Sequence, residues 1–185
     1  MNYAQLQQSW PEFNQRITHF LHQLGLADLS LKCDHCALRV NSKEKAELLV
    51  DAFEQAGQVI SNNMINGRPI LIIKLHTPMQ LNGASVPCVE LPFPSDKVYP
   101  QEGWEHIELV LPTTATTCEA LISDLSRKVP SITDIIEGKT DIKVKLSSPQ
   151  GDNERLANPT IAFKKDGICI KVHPHSIETI IASEQ

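Results

Sequence analysis

Hydrophobic and polar positions change their spacing several times along the chain, and each change marks a predicted element. In residues 1–25 apolar residues recur at helical spacing, and Pro11 predicts a break into two helices, the second capped by Ser9 with Glu12 three residues later. The apolar stripe of the second helix consists of Phe13, Ile17, Phe20, Leu21 and Leu24. We therefore expect an N-terminal helical appendage over residues 1–29.

From Lys32 the spacing becomes two, which is typical of a strand. One face of this strand carries Cys36, Leu38 and Val40, and the other carries Cys33, His35, Ala37 and Arg39. A helix then begins at Ser42 and ends at Gly57, and three further strands are predicted over residues 58–64, 68–76 and 85–91. The order is β-α-β-β-β over residues 30–91.

A proline-rich connector occupies residues 92–104, and the same order then returns. A strand over 105–111 is followed by a helix whose capping box is Thr116 and Glu119. Three more strands are predicted over residues 140–148, 160–165 and 168–173. The opening strands share an acidic residue followed by histidine, Asp34-His35 and Glu105-His106, which favours an internal repeat with its second unit over 105–174 and a short amphipathic tail over 175–185.

The predicted fold class is α+β, with two β-α-β-β-β modules that form an open barrel-like cleft and an N-terminal helical appendage. If each helix covers the apolar face of its sheet, the polar faces close toward each other. Both modules then share one domain, and the cleft between them is the expected functional site.

The composition of the chain argues against nucleic acid and membranes as its binding partners. The chain has 185 residues, 41% of them apolar, and a net charge of −5, so it presents no basic field to attract nucleic acid or an anionic membrane. No apolar run approaches the roughly 18 residues that span a bilayer. The N-terminus lacks the basic and apolar regions of a secretion signal. We expect a soluble, cytoplasmic protein that binds a small molecule.

Five scattered cysteines do not predict a disulfide framework, and a reducing compartment would keep them as thiols. Cys33 and Cys36 do match the C-x-x-C pattern of redox and zinc sites. The other three cysteines are single, so no second pair completes four zinc ligands. The favoured interpretation is that the cysteines are small apolar strand residues.

Histidine and carboxylate side chains collect on the predicted polar faces. His35 and His106 take the same position in the two units, and Glu90 lies on the last strand of the first. Neutral imidazole nitrogen and carboxylate oxygen are the donors that a divalent transition ion requires. These three residues predict a mononuclear site for Zn, Fe, Mn or Ni. His173 is a further candidate ligand, or else it orients the C-terminal segment.

Glu108 lies two residues from His106 on the same face and is our candidate catalytic residue; the alternatives are a metal ligand or a solvated carboxylate. The candidate substrate-binding residues are basic: Arg39, Arg68, Lys74, Arg155 and Lys171. Arg39, Lys74 and Lys171 could instead be solvated charges, and the loops that carry Arg68 and Arg155 could instead only form turns. Because Glu108, Lys171 and Arg39 are expected to face the cleft, their removal should change ligand affinity and cost little stability, within ~0.5 kcal/mol.

Six short runs stand in an order and spacing that carry a family resemblance. They are NMINGRPI at 63–70, ELP at 90–92, EGWEHIE at 102–108, SSP at 147–149, ERL at 154–156 and KVHP at 171–174. From about Cys33 onward the chain resembles the YecM family of bacterial proteins. That family is similar in fold to the vicinal-oxygen-chelate superfamily, which includes glyoxalases, extradiol dioxygenases and bleomycin-resistance proteins.

The resemblance implies paired β-α-β-β-β modules around a metal-centred cleft, with ligands from the first and last strand of each module. These positions are His35, Glu90, His106 and the end of the chain's last strand, at Lys171 and His173. Many members carry glutamate at the fourth position, where this sequence has no acid. The departure favours a site of two histidines and one carboxylate, as in iron(II) oxygenases.

The expected function is that of a metal-dependent enzyme, of isomerase or oxygenase type, that chelates a small oxygen-rich or carboxylate substrate. A metal-free protein that binds or sequesters a small molecule is the alternative on the same fold. A third class, a structural interaction domain, would require a partner to cover the polar sheet face.

Overall fold

The structure is a computed structural model that describes residues 1–148 and 156–184. Its helices are α1 (Tyr3–Leu24), α2 (Lys43–Ala56), α3 (Cys118–Lys128), α4 (Ile132–Ile136) and α5 (Ile177–Ser183), with a 3-10 turn at Ala27–Leu29. Its strands are β1 (Lys32–Arg39), β2 (Gly57–Ile65), β3 (Arg68–Leu81), β4 (Ala84–Pro92), β5 (Gly103–Val110), β6 (Lys143–Ser147), β7 (Thr160–Lys165) and β8 (Ile168–His173).

The eight strands form one open sheet in the order β2-β3-β4-β1-β5-β8-β7-β6. β1 pairs in parallel with β4, and β5 pairs in parallel with β8. In each half of the sheet, the last strand therefore lies beside the first. β1 and β5 are antiparallel neighbours and join the halves at a central seam. The α+β class with two β-α-β-β-β runs is confirmed, and the domain boundaries drawn from the sequence stay predictions.

The N-terminal helix differs from the expectation of two pieces, because α1 runs without a break through Pro11. Its N-cap is Asn2, which forms a capping box with Gln5. An internal proline costs a helix about 3 kcal/mol. Burial of Trp10 and Phe13 on either side of Pro11 offsets that cost, since packing of an apolar stripe contributes more to a helix than propensity does.

Smaller differences concern where elements begin and end. The N-cap of α3 is Thr117, one residue after the predicted Thr116, and its hydroxyl accepts from the backbone N–H of Ala120. β3 extends to Leu81, past the predicted end at 76, and β6 begins at Lys143 instead of residue 140. The 3-10 turn and α4 were not predicted, because runs of three to five residues carry too little periodicity.

The two faces of the sheet carry different layers. The buried side chains of α1, α2, α3 and α4 join one large apolar cluster with residues such as Cys36, Leu38 and Ile107 from the seam strands. On the other face Ile181 of α5 packs with Ile72 and Cys88 in a small second cluster. Within the described ranges, no helix combines the length and apolar content needed to cross a membrane.

Gly57 permits the close approach of β2 to β3 at the start of their pairing. A Cβ atom there would lie 2.3 Å from the carbonyl oxygen of Lys74, a backbone atom that cannot turn away. We expect Gly57→Ala to lower the free energy of unfolding by about 3 kcal/mol. Gly67→Ala is the control: its Cβ would meet nothing within 4 Å, and its positive φ of 78° costs about 1 kcal/mol. Equal losses in urea unfolding would contradict this account of Gly57.

Candidate metal centre

Two β-bulges shape the seam between β1 and β5. The pairing passes from Cys33 to His35 on β1 while β5 advances by one residue, so Asp34 is the extra residue. It shifts again where Glu105 is extra on β5. A bulge breaks the alternation of faces and re-aims the side chain of the extra residue. Strict alternation would separate each of these acids from the histidine that follows it.

Each bulged acid contacts the histidine that follows it. Nδ1 of His35 lies 3.0 Å from Oδ2 of Asp34, and Nδ1 of His106 lies 2.9 Å from Oε2 of Glu105. A neutral ring that donates its Nδ1–H to a carboxylate keeps the lone pair of Nε2 free. A carboxylate that holds a metal-binding histidine in this way fixes its tautomer and orientation. The same arrangement thus occurs on both seam strands.

The free sides of the two rings converge on a set that we call the His/Glu cluster, made of His35, Glu90, His106 and Glu108. One donor atom from each of the four lies within 4.8 Å of the others. Nε2 of His35 is 3.3 Å from Oε2 of Glu90 and 3.4 Å from Oε1 of Glu108. Nε2 of His106 is 3.3 Å from the same Oε1 of Glu108.

The two Nε2 atoms are buried, and within the described part of the chain neither has a hydrogen-bond partner of acceptable geometry. A buried polar atom without a partner is costly, so such atoms are rare in folded proteins. Two imidazole nitrogens and two carboxylates are a donor set that divalent transition ions accept. The residues present therefore fit a divalent metal ion.

The net charge of the residues around the cluster also favours a bound cation. The buried or half-buried charged residues that contact one another here are Asp34, Glu90, Glu105 and Glu108 with Arg39 and Lys171. Among the described residues, these four carboxylates and two cations leave two negative charges when the histidine rings are neutral. One divalent cation would balance them, and so would two protons on the rings.

The carboxylates also perturb the titration of their neighbours. Burial by itself lowers the pKa of His35, but the charges of Glu108 and Asp34 hold that pKa well above its usual value. Burial raises the pKa of Glu90, but the charge of the neighbouring His35 ring overcomes this and lowers that pKa to about 2. Burial likewise opposes ionisation of Glu108, whose pKa is nevertheless held well below its ordinary value by His35 and Lys171.

His173 occupies a different place from the one expected for a metal ligand. Its Nε2 donates to Oδ1 of Asp34 at 2.9 Å, and its Nδ1 accepts from the amide of Asn158 at 3.0 Å. Both ring nitrogens are committed, so a neutral His173 has no lone pair to offer an ion. The structure brings Glu108 into the fourth donor position instead. Nδ1 of His173 lies 3.2 Å from Oε2 of Glu108.

Arg39 and Lys171 border the cluster and are less exposed than the sequence suggested. Nε of Arg39 is 2.8 Å from Oε2 of Glu105, and its guanidinium packs 5.2 Å from the ring centre of Tyr99. Nζ of Lys171 is 3.6 Å from Oε1 of Glu108. The exposed fractions of the two basic side chains are 11% and 26%. The expectation that their removal costs little stability rested on their facing the cleft. A buried, paired charge would behave otherwise, since loss of one partner then costs about 3–5 kcal/mol, and their burial and ion pairs favour this second case.

The other predicted substrate-binding residues lie away from the cluster or outside the described residues. Lys74 is half exposed and forms an ion pair of 3.0 Å with Glu178 of α5. Arg68, at the start of β3, donates to the carbonyl oxygen of Phe93. Arg155 falls in residues 149–155, which lie outside the described ranges.

The cysteines take no part in the cluster. All five are free thiols, and four of them are buried. Burial raises the pKa of Cys36 and of Cys169 to about 12, which keeps both thiols protonated and unreactive. The interpretation of the cysteines as apolar strand residues agrees with the burial of these four, which all lie on strands, whereas Cys118 begins α3.

Comparisons with known proteins place the chain among bacterial relatives. The family model described as "YecM protein" matches residues 2–184. "Protein YecM" of Escherichia coli strain K12 is 45% identical over 179 residues, covering 95% of this chain and 90% of that protein. An uncharacterised protein of Haemophilus influenzae is 34% identical, covering 90% of this chain and 86% of its own.

Solved structures also resemble this chain. The structure described as "Structural Genomics, Protein EC4020" has a TM-score of 0.83 and 41% identity, covering 98% of this chain and 92% of that one. Methylmalonyl-CoA epimerase from Mycobacterium tuberculosis has a TM-score of 0.44 and 9% identity, covering 80% of this chain and 89% of that one. At that level of likeness no conclusion about activity follows.

Lys171 allows a direct test of the charge balance. Replacing its ammonium group in Lys171→Met keeps most of the apolar stem and leaves Glu108 beside the other carboxylates without its cation. We expect the free energy of unfolding of the metal-free protein to fall by about 2–4 kcal/mol. The control is Lys43→Met, whose side chain is 71% exposed and should change stability by less than ~0.5 kcal/mol. A loss for Lys171→Met as small as for the control would mean that Lys171 is a solvated charge.

Proposed function

The chain belongs to the YecM family, and we propose that this member is a metal-dependent enzyme acting on a small oxygen-rich or carboxylate substrate. The observation that carries the proposal is the pair of buried Nε2 atoms on His35 and His106, each without a hydrogen-bond partner among the described residues. Each ring is held at Nδ1 by its own carboxylate. Such pairs are typical of histidines that bind metal.

In this proposal His35, His106, Glu90 and Glu108 hold one divalent ion of the Zn, Fe, Mn or Ni type. The chemistry that such an ion supplies is Lewis acidity toward two neighbouring oxygen atoms of a chelated substrate. The protein's own contribution begins with Asp34 and Glu105, which orient the rings. Burial of the rings keeps competing water away from their free nitrogens.

Glu108 is the proposed proton carrier as well as a donor. Its Oε2 lies 3.2 Å from Nδ1 of His173, whose lone pair is already taken by the Asn158 amide, so this oxygen is left free to take a proton from a chelated substrate. The hydrogen bond from His173 to Asp34 keeps the ring in this orientation. Reactions of isomerase and of oxygenase type both use a group that carries a proton near the chelated oxygens.

Arg39 and Lys171 are the proposed anchors for a substrate carboxylate. Both border the cluster, and both keep a part of the side chain exposed, as does Glu90 at 14%. A carboxylate that meets a guanidinium or an ammonium group in a half-buried site gains strong charge-assisted hydrogen bonds. Tyr99, over which the Arg39 guanidinium packs, forms part of the same border.

One observation favours the alternative of a metal-free binding protein. Nε2 of His35 already lies 3.3–3.4 Å from two carboxylates, and the raised pKa of this ring means that a proton can balance the cluster in place of an ion. In that case the histidines would only donate hydrogen bonds. Metal binding by the purified chain separates the two functions.

The test uses protein purified without an affinity tag, stripped with a chelator and titrated with Zn²⁺, Mn²⁺, Fe²⁺ or Ni²⁺. We expect one ion per chain. His106→Gln and Glu90→Gln each remove one donor and should weaken binding by more than the about 10–100-fold typical of losing a group that only orients a ligand.

The matched controls for this titration are His76→Gln and Glu54→Gln, whose side chains are exposed. Both should bind the ion as the unchanged chain does. Absence of stoichiometric binding, or binding that the cluster variants do not weaken, would contradict the metal-dependent function and favour the metal-free alternative.

A further inference from the structure

The helix α5 lies on the face of the sheet that bears the His/Glu cluster. Ile181, one of its two buried side chains, packs on Ile72 and Cys88 in the small second cluster. The buried side chains of α1 to α4 belong to the large cluster on the opposite face. α5 therefore covers the first half of the polar face, between that face and solvent.

Each of the four strands in that half contributes one polar contact to α5 or to its C-cap residue Glu184. The backbone N–H of Ile177 donates to Oδ2 of Asp34 at 2.7 Å on β1. The contacts on β2, β3 and β4 join Asn63 to Glu184 at 3.2 Å, Lys74 to Glu178 at 3.0 Å, and Cys88 to Glu178 at 3.9 Å. The helix thus spans β1 to β4 and touches the carboxylate that orients His35.

Apart from the short bond between Ile177 and the Asp34 carboxylate, these contacts are individually weak. The Lys74–Glu178 pair joins side chains that are 52% and 40% exposed, and exposed ion pairs contribute little. α5 has seven residues, and so short a helix is stable only while it is packed. It is also the last element of the chain that the structure describes, so its release breaks no strand pairing.

The buried rings of the cluster need a route for ligands. His35 is 1% exposed and His106 is fully covered. We propose that α5 is a removable cover: it leaves the sheet as one unit and opens the β1–β4 side of the His/Glu cluster to divalent ions and small carboxylate ligands. Release separates Glu178 from Lys74 and so frees a cation on the opened surface.

Asp34 links the cover to the cluster. It accepts hydrogen bonds from His35, His173 and the backbone of Ile177, so release of α5 removes one of its three donors. The carboxylate then interacts more strongly with the two rings that remain. That route for ligands rests on the function proposed above, whereas the opening of α5 does not.

Cys88 reports on the opening in the unmodified chain. It is fully buried beneath Ile181, while Cys36 is fully buried in the large cluster on the opposite face. Alkylation of the native protein by iodoacetamide, followed at each cysteine by mass spectrometry, measures the exposure of both. After correction for the rates in urea, we expect Cys88 to react on the order of 100-fold faster than Cys36, because local opening is more frequent than global unfolding.

A change in the cap of α5 tests the cause without altering what packs on Cys88. The hydroxyl of Ser176 accepts from the N–H of Thr179, and Ser176→Ala removes this cap. We expect about three- to tenfold faster alkylation of Cys88 and no change at Cys36. Ser42→Ala removes the equivalent cap of α2 and is the matched control, which should not accelerate Cys88 selectively.

Equal rates at Cys88 and Cys36 would overturn the proposal, because α5 would then open only when the whole protein unfolds. If Ser176→Ala fails to fold, amide exchange in the unchanged chain gives the same answer. The N–H of Ile180, bonded to Ser176 within α5, should exchange far faster than the amides of β1. Exchange at the same rate as in β1 would again contradict a removable cover.

The rate of Zn²⁺ binding links the cover to the proposed function. We expect Ser176→Ala to bind Zn²⁺ faster than the unchanged chain by the same factor as its Cys88 reacts faster. Selective opening at Cys88 with no Zn²⁺ binding would contradict the metal site and leave the cover standing. Zn²⁺ binding at an unchanged rate would overturn the cover as the ligand route and leave the metal site standing.

Discussion

The structure depends on two buried acid–histidine pairs at the seam where β1 and β5 join the halves of the sheet. Asp34 with His35 and Glu105 with His106 place a carboxylate beside the ring that follows it. Burying these charges costs free energy that only mutual contacts and further hydrogen bonds can offset. The seam register, the two bulges and the basic residues at the border all serve that requirement.

The apolar face of the sheet supplies the stability that offsets this cost in a chain of 185 residues. Four helices bury their side chains in one large cluster there, so the core does not rely on the other face. That face can then carry a charged cluster in which the carboxylates repel one another when the histidine rings are neutral. Stability concentrated on one face and perturbed groups on the other is a common division in proteins with functional sites.

Much of this architecture follows from periodicity, and part of the site does not. Alternation placed His35, Glu90 and His106 on one face, and the structure brings their donor atoms together. The same alternation did not predict that Asp34 and Glu105 contact the histidines, because a two-residue period does not reveal a bulge. The available signal was the acidic residue that precedes histidine in both opening strands. The orientation of His173 depends on its contact with Asn158, and the continuity of α1 depends on its packing against the core. No local sequence pattern predicts such tertiary contacts.

If both acid–histidine pairs direct their Nε2 atoms at one ion, anomalous X-ray diffraction will show that ion between the two rings. Crystals of the full chain loaded with Zn²⁺ should be measured on both sides of the zinc absorption edge. We expect a single strong peak about 2.0–2.2 Å from Nε2 of His35 and of His106, with Glu90 and Glu108 around it. A peak elsewhere, or none between the two rings, would contradict this expectation.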